Sequence, residues 1–343
     1  MLYYYALLYY NINLKQIKTM KKIHLISTLI GLLAFSTISK ADLKVVTSIK
    51  PIHSLASYIM DGVGSPGLIV DGYNSPHSFQ LKPSHAKMLE QADIIFWIGE
   101  DLENFLEKPL ATIAKKAEKI ELLEIKGIKK LKFRERNIFE EHEGHDDHGD
   151  DSKKEEHDDH GDDAKKEEHD DHDDHGHGEY DPHIWLDPIN AKVILNEITE
   201  HLIENDSKNA ATYKSNLAKA ISEIDKLIID VITETNTDLS YVVFHDAYQY
   251  YENRFNVNIL GAMTVNPDVM PGAEQIHEIH EVIEHDNVSC ILSEPQFNPD
   301  IIKSIAKDTS VKTGVLDPLG ANLKPGKDLY FDLIRNMSAS FNC

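Results

Sequence analysis

The residues in this chain best suited to chemistry are three histidines and one aspartate, each held in a stiff place. His183 sits in Tyr180–Pro188, reading Tyr-Asp-Pro-His-Ile-Trp-Leu-Asp-Pro. Proline fixes φ and biases the preceding residue to an extended form, so this stretch should hold one imidazole steadily. His77 follows an apolar run that ends at Val70, His245 closes Tyr-Val-Val-Phe-His, and Asp317 closes Thr-Gly-Val-Leu-Asp. Neutral imidazoles at about 2.0–2.1 Å in four-coordinate geometry suit Zn²⁺. These residues lie far apart in sequence, so spacing alone does not join them. For each one, helix capping, surface exposure or a satisfied core position is the competing reading.

The elements around them are those of an α/β protein. Strand-like runs fall at Lys44–Ile49, Gly67–Val70, Ile94–Gly99 and Ile120–Leu123, with helix-like segments at Ile52–Met60, Pro83–Gln91 and Glu103–Lys116. This alternation predicts a parallel sheet with helices on its faces. Ligands in such sheets bind beyond the carboxyl ends of the strands, where His77, His245 and Asp317 fall. Apolar residues at helix spacing then mark Asn190–Asn205 and a longer helix from Lys208 to about Thr235, roughly 40 Å at 1.5 Å per residue. Further strands are expected at Tyr241–His245, Asn258–Met263, Val288–Ser293 and Lys312–Asp317. Helices are expected at Ala247–Arg254, Gly272–His285, Pro299–Lys307 and Lys327–Phe341. The predicted fold is therefore two α/β lobes with parallel-type sheets, residues 42–205 and 239–343, joined by a single long linking helix over 206–238.

The run 140–178 breaks the pattern. It repeats every twelve residues, HDDHGDDSKKEE at His145–Glu156 and HDDHGDDAKKEE at His157–Glu168, and a third copy begins at His169. It holds 19 Asp/Glu against 4 Lys, so −15 of the net charge of −23 lies there and the remainder carries an ordinary −8. With almost no apolar residue it cannot bury a core, and disorder is expected. Its nine histidines (His142, His145, His148, His157, His160, His169, His172, His175 and His177) interleave with carboxylates as weak, competing metal sites. No basic stripe suggests nucleic-acid binding.

Export is the expected context. Met20-Lys21-Lys22, the apolar Ile23–Ile38 and Ser39-Lys40-Ala41 have the basic, apolar and small-x-small regions of a signal peptide over 20–41. Residues 1–19 would then precede the true start, and the mature chain would begin near Asp42. The apolar run is short for a membrane span, which needs about 20 residues. No cysteine follows the cleavage site, which argues against a lipid anchor. Cys290 and Cys343 are the two cysteines of the chain; they should pair in an exported protein and stay free thiols in a cytosolic one.

At the level of whole segments the chain resembles a known family. Asn74-Ser-Pro-His77-Ser-Phe-Gln-Leu-Lys-Pro-Ser84, followed by Ala92–Gly99, looks like the first metal motif of the zinc-specific substrate-binding proteins of ABC importers, the ZnuA type. His183-Ile-Trp-Leu-Asp-Pro188 and Val243-Phe-His-Asp-Ala-Tyr-Gln-Tyr-Tyr251 resemble the second and third. Ser293-Glu-Pro-Gln-Phe297 and Gly314–Gly320 resemble later segments, so the likeness covers nearly all of 42–343. The resemblance implies a rigid linking helix, Zn²⁺ held between the lobes by His77, His183 and His245, and delivery to the ABC permease of a zinc importer from the periplasm. It also implies a Cys290–Cys343 bridge and a binding protein rather than an enzyme. A monomer is expected. Manganese-binding relatives usually carry a carboxylate where this chain has His245, and imidazole favours zinc. The chain departs from some zinc-specific members at Pro76, where they place a glutamate ligand. That leaves water, or less readily Asp317, for the fourth position.

Rival readings are weaker. A manganese or iron carrier of the same fold would need a carboxylate in place of an imidazole. A zinc hydrolase would use three histidines and water, but needs a base, and Asp317 is the obvious one. A metal-buffering or adhesive surface protein would make 140–178 its working element. His277–His285 is not a metalloprotease helix, since HExxH requires histidine at position 281, which is Glu281. His53 and His85 read as surface or capping residues, and Trp97 and Trp185 as core. Asp246, beside His245, reads as a weak candidate for orienting the ring.

Overall fold

Apolar, largely β-branched runs form the central strands, while the edge strands β4 and β8 are more polar and exposed. A computed structural model describes residues 43–134, 136–139, 178–265, 267, 271–307 and 309–343, all within one compact unit, Leu43–Cys343. The first half builds β1 (Val45–Ile49), α1 (Lys50–Ile59), β2 (Gly67–Val70), α2 (Pro83–Gln91), β3 (Ile94–Trp97), α3 (Glu100–Thr112) and β4 (Glu118–Glu121). The strands form one parallel sheet in the order β2-β1-β3-β4. Parallel strands covered on both faces read as continuous apolar runs, and β1 and β3 are buried along their whole length.

Two helices then carry the chain across. A 3₁₀ turn at Ile184–Leu186 leads into α4 (Pro188–Asn205), and a second turn at Ser207–Asn209 leads into α5 (Ala210–Glu234). Pro188 fits the first helical position, where a missing N–H costs nothing, and Asp187 caps α4 by accepting from the Ile189 amide at 2.8 Å. The 25 residues of α5 span about 37 Å at 1.5 Å each.

The second half repeats the design with β5 (Ser240–His245), α6 (Gln249–Phe255), β6 (Asn258–Thr264), α7 (Ala273–His285), β7 (Cys290–Ser293), α8 (Asp300–Lys307), β8 (Lys312–Val315) and α9 (Leu329–Ser340). Its parallel order is β6-β5-β7-β8. The long helix α5 packs on α1 of the first lobe and on α4 and α9, so it backs both sheets. One continuous core runs through the first lobe, α5 and the near face of the second sheet; the far face of that sheet, with Val242, Phe244 and Ile291, makes a smaller core under α7 and α8. The two-lobed α/β architecture predicted from the sequence is the one observed. Among the described residues no helix is long and apolar enough to cross a membrane.

The differences are local. β8 stops at Val315, two residues before Asp317. The chain bends at Glu103 inside α3 (φ −125°, ψ 48°), where the Glu103 carboxylate accepts from the Ile98 and Gly99 amides at 2.8 and 3.2 Å. His53 is buried rather than on the surface, because nearly all of α1 is enclosed between the sheet and α5; its Nδ1 lies 3.4 Å from Ser57 Oγ. His85 does cap, accepting from the Lys82 amide at 3.2 Å in the first turn of α2. Both tryptophans are buried. Cys290, at the start of β7, is disulfide-bonded to Cys343, with the Cα atoms 6.5 Å apart, tying the end of the chain to the second sheet.

Candidate metal centre

His77, His183 and His245 meet at the carboxyl ends of the two sheets, with one ring nitrogen from each inside a sphere where no two are more than 4.8 Å apart. The ring centroids stand 5.3 to 5.7 Å from one another. The Nε2 atoms of His183 and His245 are 3.4 Å apart. Two ligands at zinc bond lengths and a tetrahedral angle lie about 3.3 Å apart, so this pair has the spacing a tetrahedral ion requires.

Each buried imidazole is braced from behind. Asp181 Oδ1 lies 2.7 Å from His183 Nδ1 and also accepts from the His183 amide at 3.0 Å. Glu294 Oε1 lies 2.6 Å from His245 Nδ1. A carboxylate on Nδ1 holds the proton there, turns Nε2 into the lone-pair nitrogen and raises its basicity. Burial, and then the neighbouring His245, push His183 well below the usual imidazole value, so its ring is neutral. Burial also lowers His245, but the Glu294 charge and hydrogen bond, with Asp246 and Asp181 behind them, carry it above the usual value. Burial raises the Asp181 carboxyl to about 7, against the His183 amide bond and Arg134.

The backbone explains how these groups are placed. His245 is the last residue of β5, between β6 and β7, and Glu294 follows the last residue of β7. His183 enters the 3₁₀ turn, and the turn is held by the opposite lobe: Trp185 Nε1 donates to Pro318 O at 2.8 Å, Tyr330 Oη to Trp185 O at 2.9 Å and Tyr250 Oη to Asp181 O at 2.8 Å. His77 comes from the loop between β2 and α2 and is half-buried; its amide donates to Ser75 Oγ at 3.2 Å. Buried Pro76 lines the same small cleft, which Phe297, Pro318 and Leu319 close. Outside it, Tyr73, Asn74 and Gln80 face Pro267, Gln296 and Phe297 across an open mouth.

Asp317 lies beside the centre without joining it. Its Oδ1 accepts from the Leu319 and Gly320 amides at 3.0 and 2.9 Å and from Gln296 Nε2 at 3.0 Å; its Oδ2 accepts from the Ala321 amide at 2.6 Å. This carboxylate shapes the loop that closes the cleft. Asp246 faces Arg134 at 3.1 Å rather than the His245 ring. The accessory histidines His142 to His177, and the signal segment 20–41, lie outside the described residues. A second group, Glu118, His201 and Glu204, is more exposed; His201 Nδ1 there lies 2.9 Å from Glu118 and Nε2 3.1 Å from Glu197.

Sequence reasoning missed Asp181 and Glu294. The strand-end rule that selected His245 also reaches Glu294, one residue past β7. Asp181 carried an i, i+2 signal to His183 that spacing made available.

The convergent imidazoles thus stand between two α/β lobes joined by the long helix α5. The profile described as "Zinc-uptake complex component A periplasmic" (ZnuA) matches residues 45–342, and the chain belongs to that family. It is 46% identical over 304 residues to the high-affinity zinc uptake system protein ZnuA of Brucella abortus (strain 2308), covering 86% of this chain and 90% of that protein. Against the Yersinia pestis protein of the same name the identity is 35%, covering 91% and 94%. Among solved structures, one titled "Crystal structure of ZnuA" superposes with a TM-score of 0.67 at 20% identity, covering 88% of this chain and all of that one. The laminin-binding protein Lmb of Streptococcus agalactiae, titled a bifunctional protein with adhesin and metal transporting activity, gives a TM-score of 0.65 at 20% identity, covering 87% and 99%.

Proposed function

We propose that this protein captures Zn²⁺ between its lobes through His77, His183 and His245 and delivers it to the membrane permease of an ABC-type importer, from the periplasm and after removal of residues 20–41. It acts as a binding protein and not as an enzyme. The observation that carries this reading is the convergence of the three imidazoles, two of them braced on Nδ1 by buried carboxylates. Three imidazole nitrogens and no carboxylate among them favour zinc over manganese. Zinc uptake by the curated relatives supports the same cargo. Water takes the fourth position, since Pro76 offers no donor and both Asp317 oxygens are engaged by amides.

Residues 140–178 serve as an accessory, low-affinity zinc buffer in this account. A strain lacking them should grow more slowly only under zinc limitation, and unchanged uptake at every zinc level would remove that role. The core reading is tested by zinc K-edge absorption on the mature chain with 140–178 deleted and one equivalent of zinc bound. Three imidazole nitrogens and one oxygen at about 2.0–2.1 Å are expected. A shell of oxygen donors alone would overturn it.

A further inference from the structure

The segment between β4 and the acidic run crosses from one lobe to the other. Residues 131–133 pair with the stretch that leads into His183: Asp181 donates to Leu131 O at 2.8 Å, Phe133 donates to Glu179 O at 3.4 Å, and Lys132 bridges Tyr180 in antiparallel fashion. Residues 137–139 lie along the edge strand β6 of the second sheet, where Phe139 donates to Leu260 O at 2.9 Å and Ala262 donates to Asn137 O at 2.8 Å. Gly261 is shaped for this contact, because a Cβ there would stand 2.7 Å from Asn137 O.

Arg134 sits at the crossing. Its Nη1 donates to Asp246 Oδ1 at 3.1 Å and to Glu252 Oε1 at 3.1 Å, while Nη2 donates to Glu252 Oε2 at 2.6 Å. The Phe139 ring covers the guanidinium, 3.8 Å from its carbon. Asp246 follows His245 directly, and Glu252 lies on α6. The buried Asp246 and largely buried Glu252 share one cation, bidentate on Glu252, in a cluster that is costly to break, since removing the cation leaves enclosed carboxyls without it.

We infer that Arg134 is a positioning residue for the metal centre: it locks the segment bearing Asp181 and His183 to the segment bearing His245, and so fixes the separation of the two imidazoles. The chain of contacts runs from His183 through Asp181 and Leu131 to Arg134, then through Asp246 to His245. The ligand class is a small tetrahedral divalent ion. The Nε2 pair at 3.4 Å matches two tetrahedral ligands, and three imidazoles supply fewer donors than ions that take six. This inference rests on the proposed zinc site and adds what sets its width.

The test uses the mature chain with 140–178 deleted as parent, beside Arg134→Gln, Arg134→Lys, Gly261→Ala and His183→Ala. Zinc and manganese affinities are read by chelator competition. Bound Co²⁺ is read by its visible absorption, whose intensity reports tetrahedral coordination, and folding by thermal melting. Arg134→Gln should weaken zinc at least tenfold, as loss of outer-shell support does, narrow the preference over manganese and lower the Co²⁺ absorption. Arg134→Lys should restore part of each. Gly261→Ala, which displaces Asn137 while leaving the charges in place, should shift the same readouts by a few-fold. A folded Arg134→Gln variant with parental affinity and spectrum would overturn the inference. If that variant does not fold, parental behaviour of Gly261→Ala would overturn it. The zinc reading fails separately: it falls if the parent has no tight site or if His183→Ala keeps it.

Discussion

The two lobes share one strand order but hold their histidines in opposite ways. In the second lobe His245 ends a strand that is buried along all six residues, and Glu294 stands one residue beyond the neighbouring strand. The sheet itself fixes both. In the first lobe neither histidine lies on a strand. His77 rides on a loop, and His183 stands on a turn whose hydrogen bonds come largely from Tyr250, Pro318 and Tyr330 across the interface. The second lobe therefore carries an imidazole fixed by its own sheet, whereas the first carries imidazoles whose geometry depends on docking. Lobe docking and metal affinity should accordingly be coupled.

Single-ligand variants break this comparison most strongly. His183→Ala and His245→Ala should each weaken zinc by about a thousandfold, or about 4 kcal/mol, in chelator competition. His77→Ala, at a half-buried loop position, should lose less. Equal losses at all three would show that the loop ligand is held as firmly as the other two.

Next in size is the Cys290–Cys343 bridge, which belongs to the second lobe alone. A closed loop of this length is worth about 4 kcal/mol in chain-entropy terms. Reduction should lower the melting temperature and leave zinc affinity of the folded protein close to its starting value. A large loss of affinity without a change in melting would mean that the bridge supports the site directly.

Buried carboxyls differ between the lobes as well. Burial raises all three to about 7, but Asp246 and Glu252 face Arg134, whereas Glu103 of the first lobe, raised from 4.5, meets only backbone amides and Ser48. A group whose pKa is raised in the folded state stabilises fully below its unfolded value, and that contribution is lost as pH rises through the folded one. Glu103 should therefore cost about 3 kcal/mol between pH 4.5 and 7. Glu103→Gln should flatten denaturation midpoints over that window and raise stability at pH 8. An unchanged pH slope would contradict this.

The smallest effects are expected behind the rings. Asp181→Asn and Glu294→Gln should weaken zinc about 10- to 100-fold, with Asp181→Asn the larger because that carboxylate holds both ring and backbone of His183. Isothermal titration with a competing chelator resolves the two.

Much of this architecture was legible because parallel strands buried on both faces leave unbroken apolar runs, as in Ile94–Trp97 and Tyr241–Phe244. The helix Ala210–Glu234 announced itself by apolar residues at a steady 3.6-residue period. His245 was legible as a strand-end polar residue, and His183 through its flanking prolines. Asp317 drew the same inference, but the turn after β8 folds three amides back onto its carboxylate, and apolar patterning carries no sign of that. His53, expected on the surface or at a cap, is buried because a helix enclosed by a sheet on one side and another helix on the other buries its polar residues too. Arg134 gave no local signal at all. Its partners lie 112 and 118 residues away, and only the docked lobes bring them together.

The central claim is that one tight zinc site lies between the lobes and is independent of the acidic run. The direct measurement is a zinc titration, with a chelator competitor, of the mature chain, the chain lacking residues 140–178, and that deletion carrying His183→Ala. One tight site should survive the deletion and vanish with His183→Ala. Loss of the tight site on deletion alone would contradict the account and make the acidic run the working element.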